Sequence, residues 1–243
     1  MDINHFGQIE LVETFARLDL DRRERTGIPE TVLAEGKSVE QLVSITRTLC
    51  EKSGVVLVTR ASNDFADNLQ AVFQAGYKFH YNSAGRAVVI QRLDFPQIST
   101  GGCIAIVSAG TGDLSVAEEA RVTAEVMGCE VLSYYDAGVA GIHRLVEPIK
   151  DILEKDVAAV VVIAGMEGAL PSIVRGLVPV PVIGVPTSIG YGYGAKGEAA
   201  LMSMLQSCSP GLTVVNIDNG FGAGATAALI ANRVAQAKRG KVS

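Results

Sequence analysis

The sequence predicts an α/β protein in which a doubly wound parallel-sheet domain follows a smaller N-terminal α/β domain. Five short apolar runs alternate with helical patterns from Cys103 onward, and each run ends in a loop rich in glycine and polar residues. Such alternation is typical of right-handed βαβ crossovers. The polar stretch at residues 96–102, PQISTGG, contains both Pro and Gly and indicates a domain boundary. We therefore expect domains at residues 1–98 and 99–243.

The composition limits the partners that the protein can have. A net charge of -5 and a pI near 5.3 argue against a nucleic-acid-binding surface, which needs clustered Lys and Arg. The longest apolar stretches fall well short of the ~20 residues that a membrane-spanning helix requires, and the N-terminus lacks the pattern of a signal peptide. Four widely spaced cysteines without a CxxC pair predict neither a zinc site nor a disulfide framework. We expect a cytoplasmic protein that binds neither nucleic acid nor membrane.

The first domain is expected to be a small α/β domain. A periodic apolar segment, Phe6–Leu20, precedes a charged loop, Asp21–Lys37. A helix should begin at Ser38, because Ser38 and Gln41 have the spacing of a capping box. Two apolar runs on either side of a helical stretch predict strands at 54–60 and 85–93.

The second domain should alternate strands and helices to the end of the chain. The predicted strands are residues 103–109, 130–135, 157–165, 180–186 and 212–217. The predicted helices are residues 114–126, 142–153, 168–176, 195–206 and 220–237.

Ligands of open parallel sheets bind beyond the carboxyl ends of the strands. The segments that follow the five predicted strands are SAGTGD, YDAGVAGIHR, AGMEG, PTSIGYGYGAKG and NIDNGFGAG. Turn geometry alone explains glycine and aspartate in any one loop. Five such loops at one edge of a sheet favour a ligand site.

The first of these loops contains the candidates Ser108, Gly110, Thr111 and Asp113. It leads from a strand into the helix that begins near Leu114, so its N–H groups and hydroxyls could receive a phosphate or carboxylate. The loop is not a Walker loop, because the Gly-Lys-Ser/Thr ending is missing. Asp113 is equally compatible with a helix N-cap.

His143, Arg144 and Lys196 in later loops are candidates for ligand contacts. We expect His143 and Arg144 early in a helix, where the helix dipole disfavours a cation unless an anion is bound. Alternatively, His143 and Arg144 are surface residues that make ordinary hydrogen bonds. Residues 192–197 match the dinucleotide fingerprint GxGxxG but lie several residues beyond their strand, so we interpret them as a ligand-covering loop with Lys196 available for a phosphate.

Glu167 is the candidate general base. It follows an apolar strand and is expected to open a helix, whose dipole would keep it ionised and able to accept a proton. Alternatively, Glu167 is only a carboxylate in the first turn of a helix, where the dipole stabilises its charge. Gly165 and Met166 precede Glu167 at the sheet edge, where a ligand ring could pass.

Cys208 stands alone in QSCSPG, just after a predicted helix C-terminus. A lone Cys is usually a small buried hydrophobe, and the dipole at this helix end disfavours a thiolate. The residues by themselves therefore favour a structural role for Cys208.

From Gly102 onward the chain resembles aminoimidazole ribonucleotide carboxylases, the PurE-like enzymes. The similarity includes the Ser/Gly/Asp loop, a His-Arg pair, AGMEGALPS and PVIGVPTS. It departs at residues 140–144, AGIHR, where the purine enzymes have Ser-Ala-His-Arg-Thr. This departure argues against a purine substrate.

Over nearly its full length the chain resembles the LarB family, through DLDRRERTGIPETVLAEGKSVEQ, SAGTGD, AGMEGALPS and SCSPGLTVVNIDNGFGAG. The resemblance implies the first step of nickel-pincer cofactor synthesis. In that step nicotinic acid adenine dinucleotide and carbon dioxide or bicarbonate give pyridinium-3,5-biscarboxylic acid mononucleotide and AMP. It also implies a PurE-like fold for the second domain and a homo-oligomer, expected to be an octamer.

The resemblance assigns roles to the candidates. Cys208 matches the family's nucleophile, which adds to the pyridinium carbon para to nitrogen and makes a meta carbon nucleophilic. Glu167 is the candidate for removing the ring proton afterwards. Asn219, in the last loop, is counted with the substrate-binding residues.

Mg²⁺ is the expected metal, bound mainly through the phosphates of the substrate, because anhydride cleavage requires charge neutralisation. Asp113, Asp136 and Asp218 could contribute, although each also suits a turn or a cap. Asp136 is counted with the substrate-binding residues, and no tightly bound organic cofactor is expected. Two alternatives stay open: a PurE-type aminoimidazole ribonucleotide carboxylase or mutase, and a non-catalytic nucleotide-binding sensor.

Overall fold

The chain divides between Gln97 and Ile98 into an N-terminal and a C-terminal unit. The computed structural model describes residues 8–240. The first residues of the expected apolar segment, Phe6 and Gly7, lie outside the described residues. None of the helices described there is long and apolar enough to cross a membrane.

The N-terminal unit has six strands and three helices within the described residues. The strands are β1 (Ile9–Val12), β2 (Ala16–Asp19), β3 (Thr31–Leu33), β4 (Val55–Thr59), β5 (Tyr77–Asn82) and β6 (Ala87–Arg92). The helices are α1 (Arg22–Thr26), α2 (Val39–Ser53) and α3 (Asn63–Val72). β1 and β2 form an antiparallel pair, and the other four strands form a sheet in the order β3-β4-β6-β5. β3 is parallel to β4, whereas β4 and β5 are antiparallel to β6.

The start of α2 has the predicted capping box. The Gln41 N–H donates to Ser38 Oγ (3.3 Å), and the Ser38 N–H donates to Gln41 Oε1 (3.1 Å). The helix buries Leu42 and Leu49 beside β4, all of whose residues are buried. The segment predicted as a loop between 21 and 37 is more ordered than expected, because it contains α1 and β3.

Up to residue 240, the last that the structure describes, the C-terminal unit contains five strands and five α-helices. The strands are β7 (Cys103–Ser108), β8 (Glu130–Tyr134), β9 (Val160–Ala164), β10 (Val182–Pro186) and β11 (Leu212–Val214). The helices are α4 (Leu114–Val126), α5 (Val146–Glu154), α6 (Leu170–Arg175), α7 (Glu198–Leu205) and α8 (Gly220–Gly240). All strand pairs are parallel, in the order β11-β10-β9-β7-β8.

Helices cover both faces of this sheet. α4 and α8 pack against each other, and residues of α5, α6 and α7 share a core cluster with β7 and β9. Gly220 and Gly224 allow the close contact with α4, since a Cβ at either position would lie 2.3 Å from a backbone oxygen of that helix. The predicted doubly wound α/β class is confirmed.

Three of the predicted helices begin later than expected. A 3-10 segment, Val139–Leu145, precedes α5, because Gly141 has a non-helical backbone (φ -138°, ψ 70°). Another, Gly192–Gly197, precedes α7 and ends at Gly197 in the left-handed region (φ 86°). α6 begins at Leu170, two residues beyond the predicted start.

Candidate functional site

The loops that follow the five strands of the C-terminal unit meet at one edge of the sheet. Three backbone hydrogen bonds join neighbouring loops: Ala137 N to Ser108 O (2.9 Å), Met166 N to Ile189 O (3.1 Å) and Asp218 N to Pro186 O (2.9 Å). The convergence follows from the parallel arrangement, since all strands end on the same side.

Asp113 ties two of these loops together. Its Oδ1 accepts from the Thr187 hydroxyl (2.6 Å), and its Oδ2 accepts from the Gly110 N–H (2.9 Å). Asp113 is 4% exposed, and burial raises the pKa of its carboxyl, although the hydrogen bonds oppose this rise. The side chain makes no capping hydrogen bond to α4. Asp113 therefore holds the first loop against the fourth instead of capping the helix.

Ser108 contributes a buried hydroxyl that lacks a partner. Its Oγ is inaccessible to solvent and has no hydrogen-bond partner among residues 8–240. Because an unsatisfied buried hydroxyl costs about 1–3 kcal/mol, such groups are rare without a function or a bound molecule. Ser108 lies at the end of β7 beside Gly110 and Thr111, at the edge where the loops meet.

The second loop carries an ion pair. Arg144 Nη1 lies 3.1 Å from Asp136 Oδ2, and Arg144 Nη2 donates to Gly138 O (3.3 Å). The expectation that His143 and Arg144 lie early in an α-helix is wrong, because α5 begins only at Val146. The helix dipole therefore gives no reason to expect a bound anion, and Arg144 remains a candidate because it is exposed and lies at the sheet edge.

The third loop presents Glu167 to solvent. Glu167 lies in a turn before α6 and does not open the helix as expected, because Gly168 adopts a left-handed conformation (φ 65°) before the helix begins. Met166 is 45% exposed and also left-handed (φ 51°). Gly165 has no room for a side chain, since a Cβ there would lie 2.2 Å from Ile189 O.

The fourth loop contains residues that the sequence analysis missed. Tyr191 and Tyr193 are exposed, on the same loop as the exposed Lys196. The signal in the sequence was the repeated YGYG within a glycine-rich loop. These rings are suitable for stacking on a planar ligand.

Residues of the fifth loop serve mainly as local supports. The Asn219 side chain accepts from the Gly222 N–H (2.8 Å) at the start of α8, and Asp218 Oδ1 accepts from the Ser188 N–H (2.8 Å). A further contact that was missed lies beyond β8, where the Tyr135 hydroxyl donates to Glu118. Burial raises the pKa of Tyr135.

Cys208 lies at the opposite edge of the sheet. It follows α7 and precedes β11, and the Val182 N–H donates to Gly211 O (3.1 Å), which places this segment at the amino end of β10. The length of a five-residue strand, about 16 Å, separates the two edges. The thiol is free and exposed, so Cys208 is not the buried hydrophobe that its local sequence indicated.

The carboxylates do not form a metal cage within the part of the chain that the structure describes. No three His, Cys, Asp or Glu side chains in residues 8–240 are grouped to hold an ion. Asp113 uses both carboxylate oxygens in hydrogen bonds, and Asp136 is paired with Arg144. These residues fit Mg²⁺ only as additional ligands to an ion that the phosphates of a substrate already hold.

Comparison with known proteins gives two matches to families and one to a curated protein. Residues 9–92 match the LarB/PurE-like N-terminal domain, and residues 103–243 match AIR carboxylase. An uncharacterized protein of Methanocaldococcus jannaschii is 43% identical over 224 residues, which cover 91% of this chain and 86% of that protein.

Proposed function

The chain belongs to the LarB family, and we propose that it carboxylates the pyridinium ring of nicotinic acid adenine dinucleotide. Its membership of a LarB/PurE-like carboxylase family follows from the matches to both units. The proposed products are pyridinium-3,5-biscarboxylic acid mononucleotide and AMP, in the first step of nickel-pincer cofactor synthesis.

The exposed thiol of Cys208 is the observation that carries this proposal. The other three cysteines are buried or half-buried, and burial raises the pKa values of all three. An aminoimidazole already has a nucleophilic carbon and needs no thiol, whereas a pyridinium ring is electron-poor. The accessible thiol therefore favours a pyridinium substrate over a purine precursor.

In the proposed reaction, the Cys208 thiolate forms a C–S bond at the ring carbon para to nitrogen. The ring becomes an enamine-like dihydropyridine, and its free meta carbon forms a C–C bond with carbon dioxide. Glu167 then takes the proton from that carbon. The electron pair restores the aromatic ring as the C–S bond breaks and the thiolate leaves. Water separately attacks the phosphoanhydride, and AMP departs.

We propose that two subunits contribute to each site. Cys208 and Glu167 lie at opposite edges of one sheet, so a single chain does not bring both to one ring. A Cys208 that reaches the carboxyl-edge loops of a neighbouring subunit, in the expected homo-octamer, satisfies the chemistry. Exposed apolar side chains of the C-terminal unit are available for such an interface: Ile142, Val146, Leu153, Leu177, Met202 and Leu205.

The carboxyl-edge loops would hold the dinucleotide. Ser108, Gly110 and Thr111 line the sheet edge, and Thr111 supplies hydrogen bonds there, because the Gly110 N–H already donates to Asp113. Arg144 and Lys196, with His143 nearby, supply positive charge for carboxylate or phosphate groups. Mg²⁺, when it is bound to the substrate's phosphates, would neutralise charge during anhydride cleavage.

Incubation with nicotinic acid adenine dinucleotide and isotopically labelled bicarbonate tests the function. We expect AMP and a labelled pyridinium mononucleotide from the wild type and from Cys103→Ser, the control for removal of a thiol. Cys208→Ser should retain its circular dichroism spectrum but carboxylate only at background. Wild-type carboxylation in Cys208→Ser would refute the mechanism. Turnover of aminoimidazole ribonucleotide instead would identify the PurE-type activity, and binding without turnover would identify a sensor.

A further inference from the structure

Both chain neighbours of Cys208 are hydrogen-bonded to α6. The Ser172 hydroxyl, in α6, donates to Ser207 Oγ (2.7 Å), and the Ser209 hydroxyl donates to Ser172 O (3.1 Å). The Ser209 N–H also donates to Ser207 Oγ (3.2 Å). Ser172, Ser207 and Ser209, the serine cluster, are half-buried, whereas Cys208 is exposed. The serine cluster therefore fixes the chain on both sides of an accessible thiol.

α6 also contacts the chain three residues beyond Cys208. The Arg175 guanidinium packs against Gly211, where a Cβ would lie 2.4 Å from Arg175 Nε. Gly211 has φ 93°, in the left-handed region that glycine adopts readily. Arg175 is itself held in place, since its Nη1 donates to Val178 O (2.6 Å). Two residues of α6, Ser172 and Arg175, therefore hold the segment at residues 207–211.

The topology brings these residues together from distant parts of the chain. α6 leads from β9 to β10 and α7 leads from β10 to β11, so both helices end at the amino edge of the parallel sheet. β10 and β11 are neighbours, and α6 contacts both strands. Ser172 and Ser207 are 35 positions apart, so the serine cluster is a tertiary contact and not part of a local turn.

The serine cluster affects order more than stability. Hydrogen bonds between neutral groups add little net free energy, because water offers equivalent partners to the unfolded chain. Fixing the backbone beside Cys208, however, removes conformations in which the thiol would point away from a ring. Attack on one ring carbon requires a short distance and one direction of approach, and a displacement of about 1 Å can lower the rate by about a hundredfold.

We propose that Ser172 is a positioning residue for Cys208, which acts through Ser207 to direct the thiol at the substrate ring. The proposal rests on the proposed function, in which the Cys208 thiolate forms a C–S bond in the site of a neighbouring subunit. Ser172 takes no part in bond formation or proton transfer. Its hydroxyl orders the segment before the ring binds, so less conformational entropy is lost when the adduct forms.

Carboxylation kinetics of the full-length Ser172→Ala variant test this role. We expect kcat to fall about tenfold to hundredfold with KM nearly unchanged. Ser172→Thr keeps the hydroxyl and should recover most of the wild-type kcat. Ser203→Ala is the matched control, because Ser203 is a half-buried serine of α7, and it should carboxylate at the wild-type rate.

Alkylation of Cys208 by iodoacetamide separates positioning from a general loss of structure. A small reagent approaches an exposed thiol from many directions, so the alkylation rate of Ser172→Ala should equal that of the wild type while its kcat falls. The double variant Ser172→Ala/Ser207→Ala should be no slower in carboxylation than Ser207→Ala, since the effect of Ser172 passes through Ser207. Wild-type kcat in Ser172→Ala, parallel losses of kcat and alkylation, or additive losses in the double variant would each overturn the proposal.

A nitroxide spin label on Cys208 distinguishes failure of this proposal from failure of the proposed function. In the Cys103→Ser background, which removes the half-buried thiol, electron paramagnetic resonance should show a more mobile label in Ser172→Ala than in Ser203→Ala. Unchanged mobility would overturn the proposal even if the wild type carboxylates. A wild type that forms no carboxylated product would instead refute the proposed function and the catalytic role of Ser172 with it, while the label would still report whether α6 orders the segment.

Discussion

Replacing Thr187 with Val should destabilise the C-terminal unit in a pH-dependent manner. The substitution keeps the shape of the side chain but removes the hydroxyl that donates to Asp113 Oδ1 at 2.6 Å. Hydrogen bonds to charged groups contribute about 1.5–3 kcal/mol, and Thr187 and Asp113 are both buried. For a domain of this size we expect the melting temperature to fall by about 3–12 °C near pH 7.

The pH dependence follows from the raised pKa of Asp113. Burial makes the folded protein bind the proton of the Asp113 carboxyl more tightly than the unfolded chain does. Ionisation of Asp113 therefore destabilises the folded state when the pH is above the pKa that this carboxyl has in the folded protein. In Thr187→Val the pKa should rise further, because a hydrogen bond that favours the ionised form is lost. The loss of stability in Thr187→Val, relative to the wild type, should therefore become smaller as the pH falls through the pKa of Asp113.

The assay is differential scanning calorimetry of the wild type, Thr187→Val and Thr123→Val at a series of pH values from about 7 down to about 4, the ordinary pKa of an aspartate. Thr123 is the control, since its buried hydroxyl donates to a neutral backbone oxygen, Glu119 O, at 2.7 Å. The loss of stability in Thr123→Val should be smaller than that in Thr187→Val and independent of pH. Equal deficits in the two variants, or a Thr187→Val deficit that does not change with pH, would contradict the reasoning.

Three further predictions concern the sheet edge and its assembly. Gly165→Ala should cost about 1–3 kcal/mol or more in denaturant unfolding, because the new Cβ would meet a backbone oxygen at 2.2 Å. Arg144→Gln should weaken binding of the dinucleotide about tenfold or more in calorimetry, whereas Lys150→Gln on the exposed face of α5 should not. Mixing inactive Cys208→Ser and Glu167→Gln subunits after dissociation should restore part of the carboxylation, and no recovery in verified mixed oligomers would contradict shared sites.

The doubly wound fold could be predicted because its signals are local. The helix at Leu114–Val126 has the predicted limits, and every predicted strand of the C-terminal unit is present. Helix starts were less predictable, since the 3-10 segment before α5 depends on the backbone of Gly141. The short α1 and β3 were missed because their residues are mostly charged or are stabilised by pairing with distant strands.

The candidate site was predictable only in part. The convergence of loops followed from strand direction, but the bond between Asp113 and Thr187 joins residues 74 positions apart. No local pattern distinguishes Thr187 from an ordinary turn threonine. Neither Arg144 nor Glu167 lies at the start of an α-helix as expected, because α5 and α6 begin a few residues later.

The position of Cys208 shows why a motif and a site are different things. The segment around Cys208 strongly resembles the LarB family. Because α7 runs from the carboxyl edge back to the amino edge of the sheet, the thiol lies just before β11 begins. A residue between a helix and the next parallel strand must lie at the amino edge, whatever its chemistry. In the proposed mechanism, Cys208 at one edge and the glycine-rich loops at the other meet only between two copies of the chain. The proposed chemistry therefore requires assembly.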